Sequence, residues 1–237
     1  MFRSLRATSR FVFAQRAPAL AAATTGLACL CVQPTKEVQC WGKQPAATEP
    51  IVGAPMTEPA TGAVFPPASA DGTLKLAGCG VRVKYYVAKV YAVGVYVPPS
   101  FRLPPGATEP LTAVRAAVAS RGADVELRMV MAREVTKHKF VESLDEQIQP
   151  RTSRAQSEAF KAAWLAGFED VVKNGAAFVL RLKPDGKVII VDSGGAELVN
   201  LVVPEVADAL LDVYLGPDAV SPTARDSVLA GLKAFGA

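Results

Sequence analysis

Arg82 has the strongest claim to chemistry in this chain. It stands in the stretch AGCGVRVKYYVAKVYAVGVYVPPS, Ala77 to Ser100, among β-branched and aromatic residues at strand density, and Pro98 and Pro99 close the run. A guanidinium drawn into an apolar row is costly unless it meets an acceptor. Arg82 therefore either pairs with an internal acid or meets an anionic or carbonyl-bearing ligand. Tyr85, Tyr86, Tyr91 and Tyr96 accompany it. Any twisted sheet favours such residues, and a phenol beside a guanidinium also offers a hydroxyl donor.

Other reactive groups are few. His138 is the single histidine, which excludes multi-histidine metal sites and paired-histidine acid–base chemistry. Of the four cysteines, Cys29 and Cys31 lie in the N-terminal segment, Cys40 in a loop-like stretch and Cys79 alone in the domain. Neither a disulfide framework nor a zinc site is indicated. No GxGxxG, P-loop or GxSxG pattern is present. Asp145 and Glu146, like Glu169 and Asp170, fall on helical segments and read as solvated charges. No metal and no cofactor is expected.

The elements that must hold Arg82 follow from local patterns. Val81, Val83 and Tyr85 alternate with Arg82, Lys84 and Tyr86, and a reversal near residues 86–88 makes a hairpin. With Tyr86 and Val87 as turn residues, Arg82 falls opposite Tyr91 on one face, although neither is a favoured turn former. Short edge strands are expected at Ala63 to Phe65 and Thr73 to Leu76. A helix is predicted from Glu109 to Arg121 with Gly122 beyond its end, then a half-buried strand from Val125 to Met131. A short helix follows from Phe140 to Ile148. A longer one starts near Ser153, carries Phe160, Trp164, Phe168 and Val171 on one side, and stops at Asn174 and Gly175. Phe178 to Leu182 and Lys187 to Val191 flank the turn Lys183-Pro184-Asp185-Gly186. Helices close the chain from Pro204 to Tyr214 and from Pro222, capped by Ser221, to about Phe235. Strands on both sides of the helices, joined by hairpins, point to an antiparallel α+β domain.

Half of the 237 residues are hydrophobic and a fifth are charged, a globular composition. The net charge of +4 comes from Arg3, Arg6, Arg10 and Arg16, in a 32-residue segment without an acid. The remainder is neutral, with 22 basic and 22 acidic residues, so no nucleic-acid face is implied. The Arg-rich segment 1–32 reads as a targeting peptide, mitochondrial before plastid because arginine dominates over serine. Its apolar run Ala17 to Val32 resembles a secretory h-region and is a candidate for membrane association, but it falls short of the roughly 20 residues of a span. Residues 33–53 form a linker, and 54–237 the domain.

Within that domain GCGVR at Gly78 to Arg82, KVYAVGVYV at Lys89 to Val97 and LLDVYLGPDAVSP at Leu210 to Pro222 resemble the chalcone isomerase superfamily, including its fatty-acid-binding members, in the same order. The resemblance runs from about Glu58 to Leu232. It implies an open-faced β-sandwich, a large antiparallel sheet with helices packed on it. It also implies that Arg82 matches the arginine that binds and polarises substrate in ring-closing members. The family threonine falls on Tyr91, the tyrosine on Phe140, an asparagine on Gln147, and a threonine and its neighbour on Val213 and Tyr214. Losing hydroxyls at Phe140 and Val213, and filling space with Tyr91, argues against efficient cyclisation.

The expected function is then non-catalytic binding of a fatty acid or similar apolar carboxylate, in a cleft headed by Arg82 and Tyr91 and lined by Phe140, Gln147 and Tyr214. Two alternatives stand beside it. One is an intramolecular lyase of the chalcone isomerase type, and the other an organelle protein for haem or another planar acid.

Overall fold

The computed structural model describes residues 53–235, and its centre is a six-stranded antiparallel sheet. The targeting segment and all but the last residue of the linker lie outside the described residues. In chain order the elements are β1 (Met56–Thr57), β2 (Val64–Phe65), β3 (Lys75–Lys84), β4 (Ala88–Val97), α1 (Pro110–Arg121), β5 (Val125–Met131), β6 (Val135–Thr136) and α2 (Lys137–Ile148). They continue with α3 (Arg154–Gly167), β7 (Val171–Val172), β8 (Ala177–Leu182), β9 (Lys187–Asp192), β10 (Glu197–Val202), α4 (Pro204–Leu215) and α5 (Pro222–Ala234). The large sheet has the order β10-β9-β8-β5-β4-β3, and β1-β2 and β6-β7 are separate two-stranded pairs.

Period-2 alternation sorts the sheet residues between two layers. Tyr91, Val93, Val95 and Val97 of β4, Leu127, Met129 and Met131 of β5, and Phe178 and Leu180 of β8 join residues of all five helices in one continuous core. On the opposite face a smaller cluster of Phe65, Leu74, Cys79, Ala92 and Tyr96 lies under β1-β2 and the loop after them. The fold is α+β and open-faced, as the resemblance implies.

β3 would be a bare edge, with unpaired N–H and C=O groups, were it not for α5. Thr223 Oγ1 accepts from Val81 N–H at 3.2 Å, Ser227 Oγ accepts from Cys79 N–H at 3.2 Å, and Ser221 Oγ donates to the Val81 carbonyl at 2.8 Å. The helix comes that close because Gly78 and Gly80 have no side chain. A Cβ on them would lie 2.4 Å from Val228 N and 2.2 Å from Ala224 N. The GCG triplet is thus a seat for α5, and Arg82, next on the same alternating face, is the first side chain beyond it.

Three expectations need correction. The helix from Ser153 ends at Gly167, short of Val171 and Asn174. Phe168 is extended, its ring stacks on Trp164 at 5.2 Å, and Val171–Val172 pairs with Val135–Thr136. Strand pairing therefore overrides the helical spacing of the aromatic residues. β10 was not anticipated. As an edge strand with one buried side chain among six, it lacks a clean alternation. Glu126, on the polar side of β5, is 1% exposed and not on a solvated face, because β1-β2 and the loop around Asp71 cover that layer.

The β3–β4 turn also differs. Tyr85, Tyr86 and Val87 form a three-residue loop, so Lys84 pairs with Ala88 and Val83 with Lys89. An irregularity between Arg82 and Val83 takes up one residue and restores the pairing of Arg82 with Tyr91. Tyr85 and Tyr86 have φ of 54° and 64°, left-handed backbone that costs roughly 1–2 kcal/mol for each side-chain-bearing residue.

Candidate functional site

β3, β4, α2 and α4 converge on Arg82. The residue is 5% exposed, and its guanidinium bonds to groups of β4 and α2, with α4 reached through Tyr91. Nη1 donates to Tyr91 Oη at 3.2 Å across the hairpin. Nη2 donates to the backbone carbonyl and to Oγ of Ser143 on α2, each at 3.1 Å. Tyr91 Oη and Tyr214 Oη, on α4, are 2.6 Å apart. Phe140 presents its ring edge to Tyr91 at 6.0 Å between centroids, and Trp164 and Phe178 each sit 5.5 Å behind it.

These contacts are rich in donors and poor in acceptors. Among the described residues Arg82 makes no ion pair, and all its hydrogen-bond partners are neutral. Glu146, one turn from Ser143, acts on Arg82 through its field but is itself bridged to Lys84 at 3.4 Å. The two phenols share one hydrogen bond, so one of their two hydrogens has no acceptor within the cluster. The indole N–H of the fully buried Trp164 is also without a partner.

Electrostatics keeps the charge on the arginine. Burial pulls the Arg82 pKa down, but Tyr91, Tyr214 and the Glu146 carboxylate together outweigh it, so the net shift is upward. Burial pushes the Tyr214 phenol well above its ordinary value, with Tyr91 adding to the rise and Arg82 opposing it. At neutral pH the Arg82 cation therefore stands near a neutral Tyr214 phenol.

The five residues singled out from the sequence do not all meet. Arg82, Tyr91 and Tyr214 are in one hydrogen-bonded chain, and Phe140 packs against Tyr91. Gln147 is half-buried on α2, and its contact is a backbone carbonyl that accepts from Arg151 at 2.7 Å. The expected cleft is filled, since Tyr91, Tyr214 and Phe140 are 0%, 0% and 3% exposed. Five surface clefts of 210 to 440 Å³ lie elsewhere, and none is lined by any of these five residues. Ser143 was missed. Its spacing held the signal, three residues after Phe140 and four before Gln147, the interval that places side chains on one helix face.

Among the described residues no cluster of His, Cys, Asp and Glu could hold a metal ion, and no helix is long and apolar enough to cross a membrane. The arrangement is suited to holding an anion or a polarised carbonyl against a guanidinium and a phenol.

Comparison with known proteins agrees with this architecture. No curated protein matches the sequence. The fold is similar to the crystal structure of a fatty-acid binding protein of Arabidopsis thaliana, with a TM-score of 0.63 and 17% sequence identity, covering 77% of this chain and 98% of that one. At that identity the likeness establishes the fold alone. The profile of the chalcone isomerase-like family matches residues 67–230, from the loop before β3 into α5 and across every residue of the Arg82 cluster. The chain belongs to the chalcone isomerase-like family.

Proposed function

We propose that the protein binds a fatty acid or similar apolar carboxylate, with Arg82 as the charge partner and Tyr91 as a hydroxyl donor. The observation that carries this reading is the buried guanidinium whose partners are all neutral. An internally satisfied arginine would sit against a carboxylate, whereas this one keeps its charge and lacks the counter-ion. A ligand carboxylate supplies that charge and accepts the spare phenolic hydrogen of the Tyr91–Tyr214 pair. The fatty-acid binding protein of similar fold supports the class of ligand.

The tail finds its place among apolar side chains. Phe140, Trp164, Phe168 and Phe178 form a run of ring contacts at 5.2 to 5.5 Å leading away from Tyr91. Because the rings fill the space, binding requires Phe140 to turn from Tyr91, and the ligand replaces that contact.

Mass spectrometry of lipids extracted from purified protein tests the reading. Wild-type protein is expected to retain fatty acids and Arg82→Ala to lose them, and titration with a fluorescent fatty acid should show at least about a tenfold weaker affinity in the variant. Equal retention by the two proteins would make the proposal wrong.

A further inference from the structure

The tip of the β3–β4 hairpin is unlike the rest of the surface. Val83, Tyr85, Tyr86 and Val87 are 40%, 77%, 101% and 82% exposed, four large apolar side chains within one short run. Neither backbone preference nor packing accounts for the tyrosines. Their φ values of 54° and 64° belong to a turn that Asn-Gly fills best, and their rings project away from the core. Strain kept at two bulky residues, with no compensating burial inside the molecule, points to a contact outside it.

The charge around the tip is one-sided along the hairpin. Lys84 and Lys89 flank the loop, and no carboxylate occurs between Lys75 and Val97. Across from the hairpin, Glu146 on α2 takes a single 3.4 Å contact from Lys84, and Lys89 donates to the Ala60 carbonyl. The ammonium of Lys84 also lies 5.4 Å from the Tyr85 ring.

We propose that this tip docks on an anionic bilayer surface and that the ligand is exchanged there. Tyrosine, with an apolar ring and a polar end, suits the headgroup level, the valines suit the acyl boundary below it, and lysine ammonium groups reach back to lipid phosphates. A protein partner fits less well. A buried aromatic covers about 150–250 Å², so two tyrosines and two valines at a convex tip fall short of the roughly 800 Å² per partner of a specific interface. The exchange step rests on the fatty-acid reading above. Arg82 lies two residues before the end of β3 at Lys84, about 7 Å along the strand, and the tip loop begins at the next residue, so a carboxylate leaving the headgroup layer meets the guanidinium next.

The test uses the full chain carrying Tyr85→Asn and Tyr86→Gly together, with phosphatidylcholine vesicles made with and without phosphatidylglycerol. Asn-Gly suits the left-handed turn, so the variant is expected to melt at or above the wild-type temperature while its partitioning onto the anionic vesicles falls about tenfold. A merely structural role for the tyrosines predicts the reverse, a lower melting temperature with unchanged partitioning. In a separate Tyr86→Trp protein, bilayers with brominated acyl chains are expected to quench the added indole. Equal partitioning of wild type and variant, or an unquenched tip tryptophan on vesicle-bound protein, overturns the proposal. So does lipid-free self-association that the variant loses, which would assign the tip to a second copy of the chain.

Fatty-acid affinity measured without vesicles separates this proposal from the one it rests on. The Asn-Gly variant keeps wild-type affinity but takes ligand from vesicles about tenfold more slowly, whereas Arg82→Ala loses affinity and keeps its partitioning. Wild-type protein without fatty-acid affinity removes the exchange step, and the partitioning and quenching results still decide the docking.

Discussion

Arg82 on the helix-covered face of the sheet and Glu126 on the opposite face are 5% and 1% exposed, yet of the two only Glu126 makes an ion pair. Glu126 faces Arg181 directly across β5 and β8, with Arg181 Nε 3.3 Å from its carboxylate, and Arg181 reaches on to Asp71 at 3.5 Å. That charge is closed within the molecule. Arg82 ends instead on a serine and a tyrosine. Burial alone therefore does not mark a site. The informative feature is burial without an ion-paired carboxylate, because the guanidinium then keeps its charge among neutral partners and stays open to an anionic ligand.

The contrast can be broken most directly at Arg82. Arg82→Met is expected to abolish measurable retention of fatty acid while leaving the melting temperature at or above that of wild type, since an apolar side chain of similar length replaces an unneutralised buried charge. A large fall in melting temperature with ligand retained would make Arg82 the structural member of the pair. Next in size is Tyr91→Phe. It strips Arg82 of one acceptor and Tyr214 of its partner, and should cost about 1–2 kcal/mol in chemical denaturation and about tenfold in fatty-acid affinity.

On the other face the expected effects are smaller and depend on pH. Burial raises the Glu126 pKa above its ordinary 4.5, with the Arg181 charge opposing the rise. A carboxyl that holds its proton more tightly when folded loses stability as pH increases from 4.5 toward the folded value. Glu126→Gln should accordingly match wild type near pH 4 and melt about 2–4 °C higher at pH 7, with fatty-acid affinity unchanged. Asp71 moves the other way. Burial pushes its pKa up, but hydrogen bonds from Ser69 and Thr73 and the Arg181 charge prevail, holding it at about 2 against an ordinary 3.8. Its contribution is present above pH 3.8 and disappears as pH falls through about 2. Asp71→Asn should lower the melting temperature at pH 6 by less than the Glu126 change raises it, and thermal scans should show the gap closing across that acid window.

Much of the helix-covered half was legible beforehand, for a local reason. Pro110, Pro204 and Pro222 start helices, Gly122 ends one in the left-handed region, and the Lys183-Pro184-Asp185-Gly186 turn joins β8 to β9. These are signals that neighbouring residues exert on their own backbone. The register at the site was also readable, but by a route the chain does not take. A two-residue turn and a three-residue loop with a bulge lead to the same pairing of Arg82 and Tyr91. Where pairing partners are distant, local signals failed. Val171 lies at helical spacing from Trp164 and Phe168 and yet joins a strand, and β10 is an edge that few core contacts mark.

From the order of its residues alone, the chain determined that a guanidinium stands in an apolar strand, that a tyrosine faces it, and that the motifs of its family surround it. Those are matters of alternation and local turn chemistry, which the covalent chain carries within a few residues. Tertiary structure decided what the guanidinium meets. Ser143 comes from a helix 61 positions away and Tyr214 reaches Tyr91 across 123 positions, while Glu126 and Arg181 find one another on the far face. Whether a buried charge is neutralised depends on groups brought together through space, and only the folded molecule shows that Arg82 lacks a counter-ion and Glu126 does not.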